Sequence, residues 1–253
     1  MSKKEIAIIS LSQLKDNYSY LVLKNKKVII VDPAESTQII QYIKNNQLNL
    51  IAILLTHHHL DHTAGVKKIS ENFSIPVYSS NQNIAHTTNV VKNGDLIDLD
   101  FIEMEVIKTP GHTLDHIVFY NKDNHILFSG DSLFRLGCGR VFEGTYKQMF
   151  QSLKKINSLD DKTMVYCGHE YTYANLDFLI SIFSNHKDLI SEKNKIDNQL
   201  TKTNRSIPFN LGKEKMINPF LSTETEIYGV FKKENNFSDI EMFSYLRNLK
   251  NKF

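Results

Sequence analysis

The sequence predicts a layered α/β domain followed by a smaller helical region, with the change of texture near residue 171. Two observations lead there. Short β-branched and aromatic runs bounded by turn residues fill the first two thirds, with one helical pattern set between strands. Beyond residue 171 the runs give way to apolar positions at helical spacing.

Taken in order, residues 6–10, 18–23 and 28–31 read as short strands, the last stopped by Asp32-Pro33. Residues 36–44 place Ile39, Ile40 and Ile43 at helical spacing. Residues 50–55 form a continuous apolar run, which suits a strand buried on both faces. A second set of strands follows at 76–79, 96–99, 104–109, 117–120 and 126–129, separated by turns such as Lys92-Asn93-Gly94-Asp95. Residues 164–167 make one more apolar strand, ending at Gly168-His169. From residue 174 onward Leu176, Leu179, Ile180 and Phe183 recur with a helical period, and a further helix is expected near 240–249. The division expected is 1–170 and 171–253, without repeats or low-complexity linkers.

Composition excludes several classes. The 253 residues are 41% hydrophobic and 23% charged, which argues against global disorder. Thirty basic against 28 acidic side chains leave +2, no broad field for gripping nucleic acid or anionic lipid. The two cysteines, Cys138 and Cys167, rule out a disulfide framework and point to a reducing compartment. No apolar run is long enough to span a bilayer, and residues 1–5 lack a secretory signal, so a cytoplasmic protein is expected.

Ten histidines are the unusual feature, because they cluster. In Thr56-His57-His58-His59-Leu60-Asp61-His62, residues two apart on extended backbone share a side, so His57 and His59 can meet one metal while His58 points elsewhere. Asp61 and His62 then enter the next helix and can address a second metal. Three more donors follow predicted strand ends: His112 in Thr109-Pro110-Gly111-His112, Asp131 in Ser129-Gly130-Asp131 and His169 in Cys167-Gly168-His169. Each alone is weak, since a lone histidine after glycine more often caps or decorates a surface. Five histidines and two aspartates at one sheet edge match two metal ions with one shared carboxylate.

This H-x-H-x-D-H motif with its later Gly-His, Gly-Asp and Gly-His resembles the metallo-β-lactamase superfamily. Within it the chain is similar over essentially its full length to the glyoxalase II (hydroxyacylglutathione hydrolase) family. The matching stretches are Asp16-Asn17-Tyr18, 56–65, 109–113, 130–145 with Gly137-Cys138-Gly139-Arg140, and Cys167-Gly168-His169-Glu170-Tyr171. The resemblance implies the α+β class: an αββα sandwich of two mixed sheets with a C-terminal helical domain that binds glutathione. It implies two divalent ions, zinc first with iron or manganese accepted: His57, His59 and His112 on one, Asp61, His62 and His169 on the other, Asp131 bridging. Asp61 and Asp131 are thereby the catalytic carboxylates.

The activity implied is hydrolysis of S-D-lactoylglutathione to D-lactate and glutathione, the second step of methylglyoxal detoxification, through a hydroxide bridging the two metals. The leaving thiolate, whose thiol has a pKa of roughly 8.5, needs no strong general acid. Arg140, Phe142, Tyr171, Arg247 and Lys250 are implied to line the glutathione end. From spacing alone, Arg247 and Lys250 would read as an ordinary solvated basic face. The expected partner is a small thioester substrate, with no nucleic acid or membrane, and the chain is expected to be a monomer.

Some positions depart from the family pattern: Thr63-Ala64-Gly65 beside the ligands, Asp115 where glycine is common, and Asp32-Pro33-Ala34-Glu35 for Asp-Pro-Gly-Asp. None removes a ligand. A single-iron dioxygenase of this superfamily would not need the second ligand set, a β-lactamase would lack the C-terminal region, and a silent binding protein would show a broken set. His58 is expected to pack or hydrogen-bond behind the site, His116 to support a ligand, and His86, His125 and His186 to lie at the surface or in loops. Cys138 is expected in a loop and Cys167 as an inert strand residue. Phe142 stands where some members carry tyrosine, so Phe142→Tyr is expected to change KM for the thioester more than kcat, in steady-state kinetics.

Overall fold

The computed structural model describes residues 5–84 and 86–253, so the N-terminal residues 1–4 considered as a signal lie outside the described residues. The described strands make two mixed six-stranded sheets and a two-stranded ribbon. The chain divides into two compact units: one holds the described residues up to Lys108 with Asp115–Asn121, the other Thr109–Leu114 with Lys122–Phe253.

In the first unit, β1 (Ala7–Gln13), β2 (Asn17–Lys24) and β3 (Lys27–Val31) pair antiparallel, joined by tight turns at Leu14 and Asn25, both at positive φ. Helix α1 (Thr37–Asn45) is the crossover that lets β4 (Asn49–Leu54) run parallel to β3. Its Ile39, Ile40 and Ile43 bury against Leu21, Ile30, Ile53 and Leu55. Each such side chain contributes about 1.5–3 kcal/mol on burial. After β4 come the short α2 (Leu60–Thr63) and α3 (Val66–Asn72), then β5 (Val77–Ser79) and β6 (Asn89–Val90), which extend the sheet in parallel. Strands β7 (Leu96–Asp98), β8 (Glu103–Lys108) and β9 (Ile117–Asn121) form an antiparallel ladder.

The second unit begins its regular structure with β10 (Ile126–Gly130), the ribbon β11 (Leu133–Phe134) and β12 (Gly137–Cys138), and α4 (Tyr146–Asn157). Helix α4 starts at a sequence-encoded signal, the reciprocal capping box of Thr145 and Gln148. Strand β13 (Met164–Cys167) lies parallel to β10, and helices α5 (Thr172–Ile182) and α6 (Lys187–Thr203) follow. The tail is not purely helical, because β14 (Phe209–Asn210) returns to pair antiparallel with β13. Helices α7 (Leu211–Ile217), α8 (Glu226–Glu234) and α9 (Asp239–Lys250) complete it. Phe150, Phe243, Phe220 and Phe178 form a chain of ring contacts at 5.7, 5.9 and 6.4 Å through this unit. His186, expected at the surface or in a loop, lies in the loop before α6 and is buried beside Tyr228, its ring centroid 5.3 Å away. No helix among the described residues is long and apolar enough to cross a membrane.

The loop between Asp131 and Cys138 is braced from the helical side. Arg135 donates from Nη2 to Glu192 Oε1 at 2.6 Å and from Nη1 to the Ser206 carbonyl at 2.7 Å. Glu214 Oε2 accepts from the Leu136 amide at 2.7 Å and from Asn218 Nδ2 at 3.1 Å. Burial pushes the Glu214 carboxyl up to about 7, against an ordinary value of 4.5. A carboxyl that holds its proton more tightly when folded contributes stability that is full below about 4.5 and is lost as pH rises through 7. In urea unfolding, the stability advantage of the wild type over Glu214→Gln is therefore expected to shrink by on the order of 2–3 kcal/mol between pH 5 and 7.

Candidate metal centre

The first unit brings four donors together immediately after β4. The strand stops at Leu54, so His57 and His59 leave it in a loop rather than on extended strand, and their rings are neighbours there. Their ring centroids lie 4.7 Å apart, and those of His57 and His62 4.3 Å apart. One ligand atom of His57 is within 4.8 Å of one on His59 and of one on His62, and so are those of Asp61 and His62. His58 points away: it is exposed and bonds Asp115 Oδ2 through Nδ1 at 2.9 Å.

Hydrogen bonds assign the tautomers. Thr56 Oγ1 donates to Asp32 Oδ2 at 2.7 Å, so toward His57 Nδ1, 3.0 Å away, it accepts. His62 Nδ1 donates to the same Asp32 oxygen at 3.0 Å. Asp32 Oδ1 takes the Thr56 amide at 2.8 Å. Both imidazoles thus carry the proton on Nδ1, and Nε2 is the lone-pair nitrogen, the form in which histidine ligates a cation. Asn17 donates from Nδ2 to Asp61 Oδ2 at 2.9 Å and to its carbonyl at 3.0 Å, fixing that carboxylate. His116, buried, stacks on His57 at 4.9 Å.

The second unit brings together the other three. Asp131 follows β10 and His169 follows β13, and Gly130 is in register with Cys167 on these neighbouring parallel strands. Both side chains therefore leave the same sheet edge. Asp131 Oδ2 lies 3.3 Å from His169 Nε2 and 3.4 Å from His112 Nε2, and all three residues are buried. His112 Nδ1 donates to the Arg140 carbonyl at 2.8 Å, which again leaves Nε2 as the lone-pair nitrogen. Gly139 permits this close approach, because a Cβ there would stand 1.8 Å from the Asp131 carbonyl oxygen. The chemistry of these donors, neutral imidazoles and carboxylates held by outer hydrogen bonds, fits a divalent cation of the zinc type.

The five residues expected at the substrate end all belong to this second unit. Phe142 is exposed, its ring centroid 5.2 Å from that of His112, and the Arg140 guanidinium lies 5.3 Å over it. Tyr171 stacks flat on His169, with centroids 4.7 Å apart and planes 6° apart. Arg247 is only 5% exposed and donates from Nη1 to the Cys138 carbonyl at 2.7 Å. Lys250 donates to the Ala174 carbonyl and stands over Phe178 and Phe253; burial pushes its ammonium down to about 8. Burial also pushes the Cys167 thiol well up, in keeping with an inert residue.

Comparison with known proteins agrees with this arrangement. Residues 14–169 match the model of the metallo-β-lactamase superfamily, and residues 170–253 match that of the hydroxyacylglutathione hydrolase C-terminus. The chain is 39% identical to the hydroxyacylglutathione hydrolase of Klebsiella pneumoniae, with 97% of this chain and 99% of that one aligned. It belongs to the hydroxyacylglutathione hydrolase family. The same enzyme of Wigglesworthia glossinidia brevipalpis is 41% identical over 97% and 98% of the two chains. The solved structure of TTHA1623 in a di-iron-bound form superposes with a TM-score of 0.55 at 28% identity, covering 64% of this chain and 90% of that one. The fold is accordingly that of the superfamily, two mixed sheets followed by the helical region α5–α9.

Sequence reasoning named the donors but missed their supports, Asp32 and the Asn17 amide. Asp32 carried a signal, a carboxylate set directly after an apolar strand and before proline. Asp32→Asn turns an amide donor toward Thr56 and His62 Nδ1. Metal affinity is expected to fall about 10–100-fold with the fold retained, read by chelator competition and circular dichroism.

Proposed function

We propose that this chain hydrolyses S-(2-hydroxyacyl)glutathiones, S-D-lactoylglutathione first among them, to the 2-hydroxy acid and glutathione, acting as a monomer. The observation that carries the proposal is end-to-end similarity to hydroxyacylglutathione hydrolases at about 40% identity, including the C-terminal region that matches that family's own C-terminal model. The division of labour proposed is catalysis in residues 1–170 and glutathione binding in 171–253.

Two divalent ions, zinc foremost, are proposed in the centre. His57, His59 and His112 would hold one, Asp61, His62 and His169 the other, and Asp131 both. Bound ions of this kind supply Lewis acidity, bringing the pKa of a water from roughly 15.7 to near 7 and polarising a carbonyl oxygen. The protein's own groups supply order. Asp32, Thr56 and the Arg140 carbonyl keep the protons of His62, His57 and His112 on Nδ1, so the ligand nitrogens need no deprotonation. Asp131 stands between His112 and His169, where one carboxylate can serve both. A thiolate leaves unaided, which agrees with a site where no separate general acid is assigned.

The glutathione end is anionic overall, and Arg140, Phe142, Tyr171, Arg247 and Lys250 are proposed to line it. Tyr171 and Phe142 offer apolar faces beside His169 and His112, and Lys250 and Arg140 offer positive charge.

The purified protein is expected to hydrolyse S-D-lactoylglutathione with about two metal ions per chain counted on the same sample. Asp131→Ala is expected to lose metal and at least about 100-fold in kcat/KM, on the order of 2.7 kcal/mol. A variant with full metal and full rate would overturn the role of Asp131. A metal-loaded wild type inert toward the thioester would overturn the activity.

A further inference from the structure

We propose that Glu170 is a positioning residue for the two side chains on either side of it, His169 and Tyr171, acting by way of Ser206 in the tail. The inference rests on the reading above, that His169 holds metal and Tyr171 lines the glutathione end.

Glu170 belongs to the stretch Cys167-Gly168-His169-Glu170-Tyr171, yet it lies outside the groups of described residues close enough to hold a metal. Its neighbours form one flat stack, His169 against Tyr171, with centroids 4.7 Å apart and planes 6° apart. The carboxylate between them reaches instead to the segment after α6. Oε2 accepts from the Ser206 amide at 2.7 Å, and Oε1 accepts from the Ser206 hydroxyl at 2.6 Å. That hydroxyl has one proton to give, so toward Thr172 Oγ1, its other partner, it accepts. Residues 170 and 172 are thus fastened to one serine, 36 and 34 residues further on, with Tyr171 held between them. Ser206 is a firm anchor. It is buried, and its carbonyl accepts from Arg135 Nη1 at 2.7 Å, while Arg135 Nη2 pairs with Glu192 at 2.6 Å.

A carboxylate that takes both an amide and a hydroxyl makes two charge-assisted bonds, which fix its own backbone unit as well as its partner's. Strand β13 ends at Cys167, whose thiol, a weak donor, reaches the His169 carbonyl at 3.3 Å. The two bonds of Glu170 are stronger, and they act where the chain turns into α5. Without the carboxylate, the buried Ser206 amide loses its acceptor and the turn is free to shift. A metal-ligating imidazole tolerates little misdirection, and outer hydrogen-bonding partners tune metal affinity by about 10–100-fold. Because His169 and Tyr171 are one stack, a shift of the turn registers on metal and on substrate together.

The test compares Glu170→Ala and Glu170→Gln with wild type in three measurements. These are hydrogen exchange of the peptide covering residues 168–174 in metal-free protein, zinc affinity by chelator competition, and steady-state hydrolysis of S-D-lactoylglutathione. Glu170→Ala is expected to speed exchange in that peptide about tenfold and to weaken zinc about tenfold. It should lower kcat by a similar factor and raise KM about threefold. Glu170→Gln lacks the charge but keeps the clamp: its oxygen accepts from the Ser206 amide and its nitrogen donates to the hydroxyl, which then donates to Thr172. It is expected to stay within about twofold of wild type throughout. Loss of zinc affinity and rate in both variants alike, with exchange unchanged, overturns the proposal and makes Glu170 a charge near the centre. Faster exchange in Glu170→Ala with unchanged zinc affinity and kinetics also overturns it, leaving a brace of the tail alone. If Glu170→Ala does not fold, Ser206→Ala decides, since it removes the bond to Oε1 and leaves the amide. Zinc weakened and KM raised, each about threefold, then support the proposal, and no change in either overturns it. Wild-type zinc affinity in His169→Ala would overturn the reading on which the inference rests and, with it, the metal half of the proposal. Exchange and zinc binding need no substrate, so they decide the role of Glu170 even if the thioester is not hydrolysed.

Discussion

A histidine ligates a metal only through a nitrogen that carries no proton, and at neutral pH something must hold the proton on the other one. In this protein that constraint is met at His57, His62 and His112 by acceptors placed behind the ring. One carboxylate, Asp32, serves His62 directly and His57 by way of Thr56. It sits at positive φ just after β3, where the chain turns out of the sheet. A main-chain carbonyl, that of Arg140, does the same for His112. The donors would otherwise be a set of polar side chains in an apolar interior, each costly to bury.

The two units solve the placement differently. The first takes its donors from one short stretch of sequence, so local geometry after β4 and the one-turn helix α2 suffice. The second gathers His112, Asp131 and His169 from three distant stretches, and only the parallel pairing of β10 with β13 makes Asp131 and His169 neighbours. That pairing needs a crossover, which α4 supplies. The loop between Asp131 and Cys138 is then held by Arg135, Asn218 and Glu214, whose charges and amides come from the helical tail or are answered by it. The tail is therefore part of the scaffold of the centre as well as the proposed seat of glutathione.

Much of this was legible in the residues. Strand runs and their turns were readable because short β-branched and aromatic runs stopped by Gly, Asn, Asp and Pro have few other interpretations. The seven donors were readable because imidazoles and carboxylates at strand ends, spaced as in His57-His58-His59-Leu60-Asp61-His62, are rare by chance. The supports were harder. Asn17 and Asp32 reach the candidate donors Asp61 and His62, 44 and 30 residues away, and no spacing rule connects them. The burial of the loop residue His186 was not legible, because it depends on α8 bringing Tyr228 against it.

The sequence by itself determined which atoms can bind a cation and the alternation of strand and helix that delivers them. Those follow from side-chain type and local periodicity, which are properties of neighbours in the chain. Only the tertiary structure decided the protonated nitrogen of His57, His62 and His112, the approach of Gly139 to the Asp131 carbonyl, and the burial of Arg247 against the Cys138 carbonyl. These are contacts between segments as many as 109 residues apart, fixed by packing and backbone hydrogen bonds that no local pattern records.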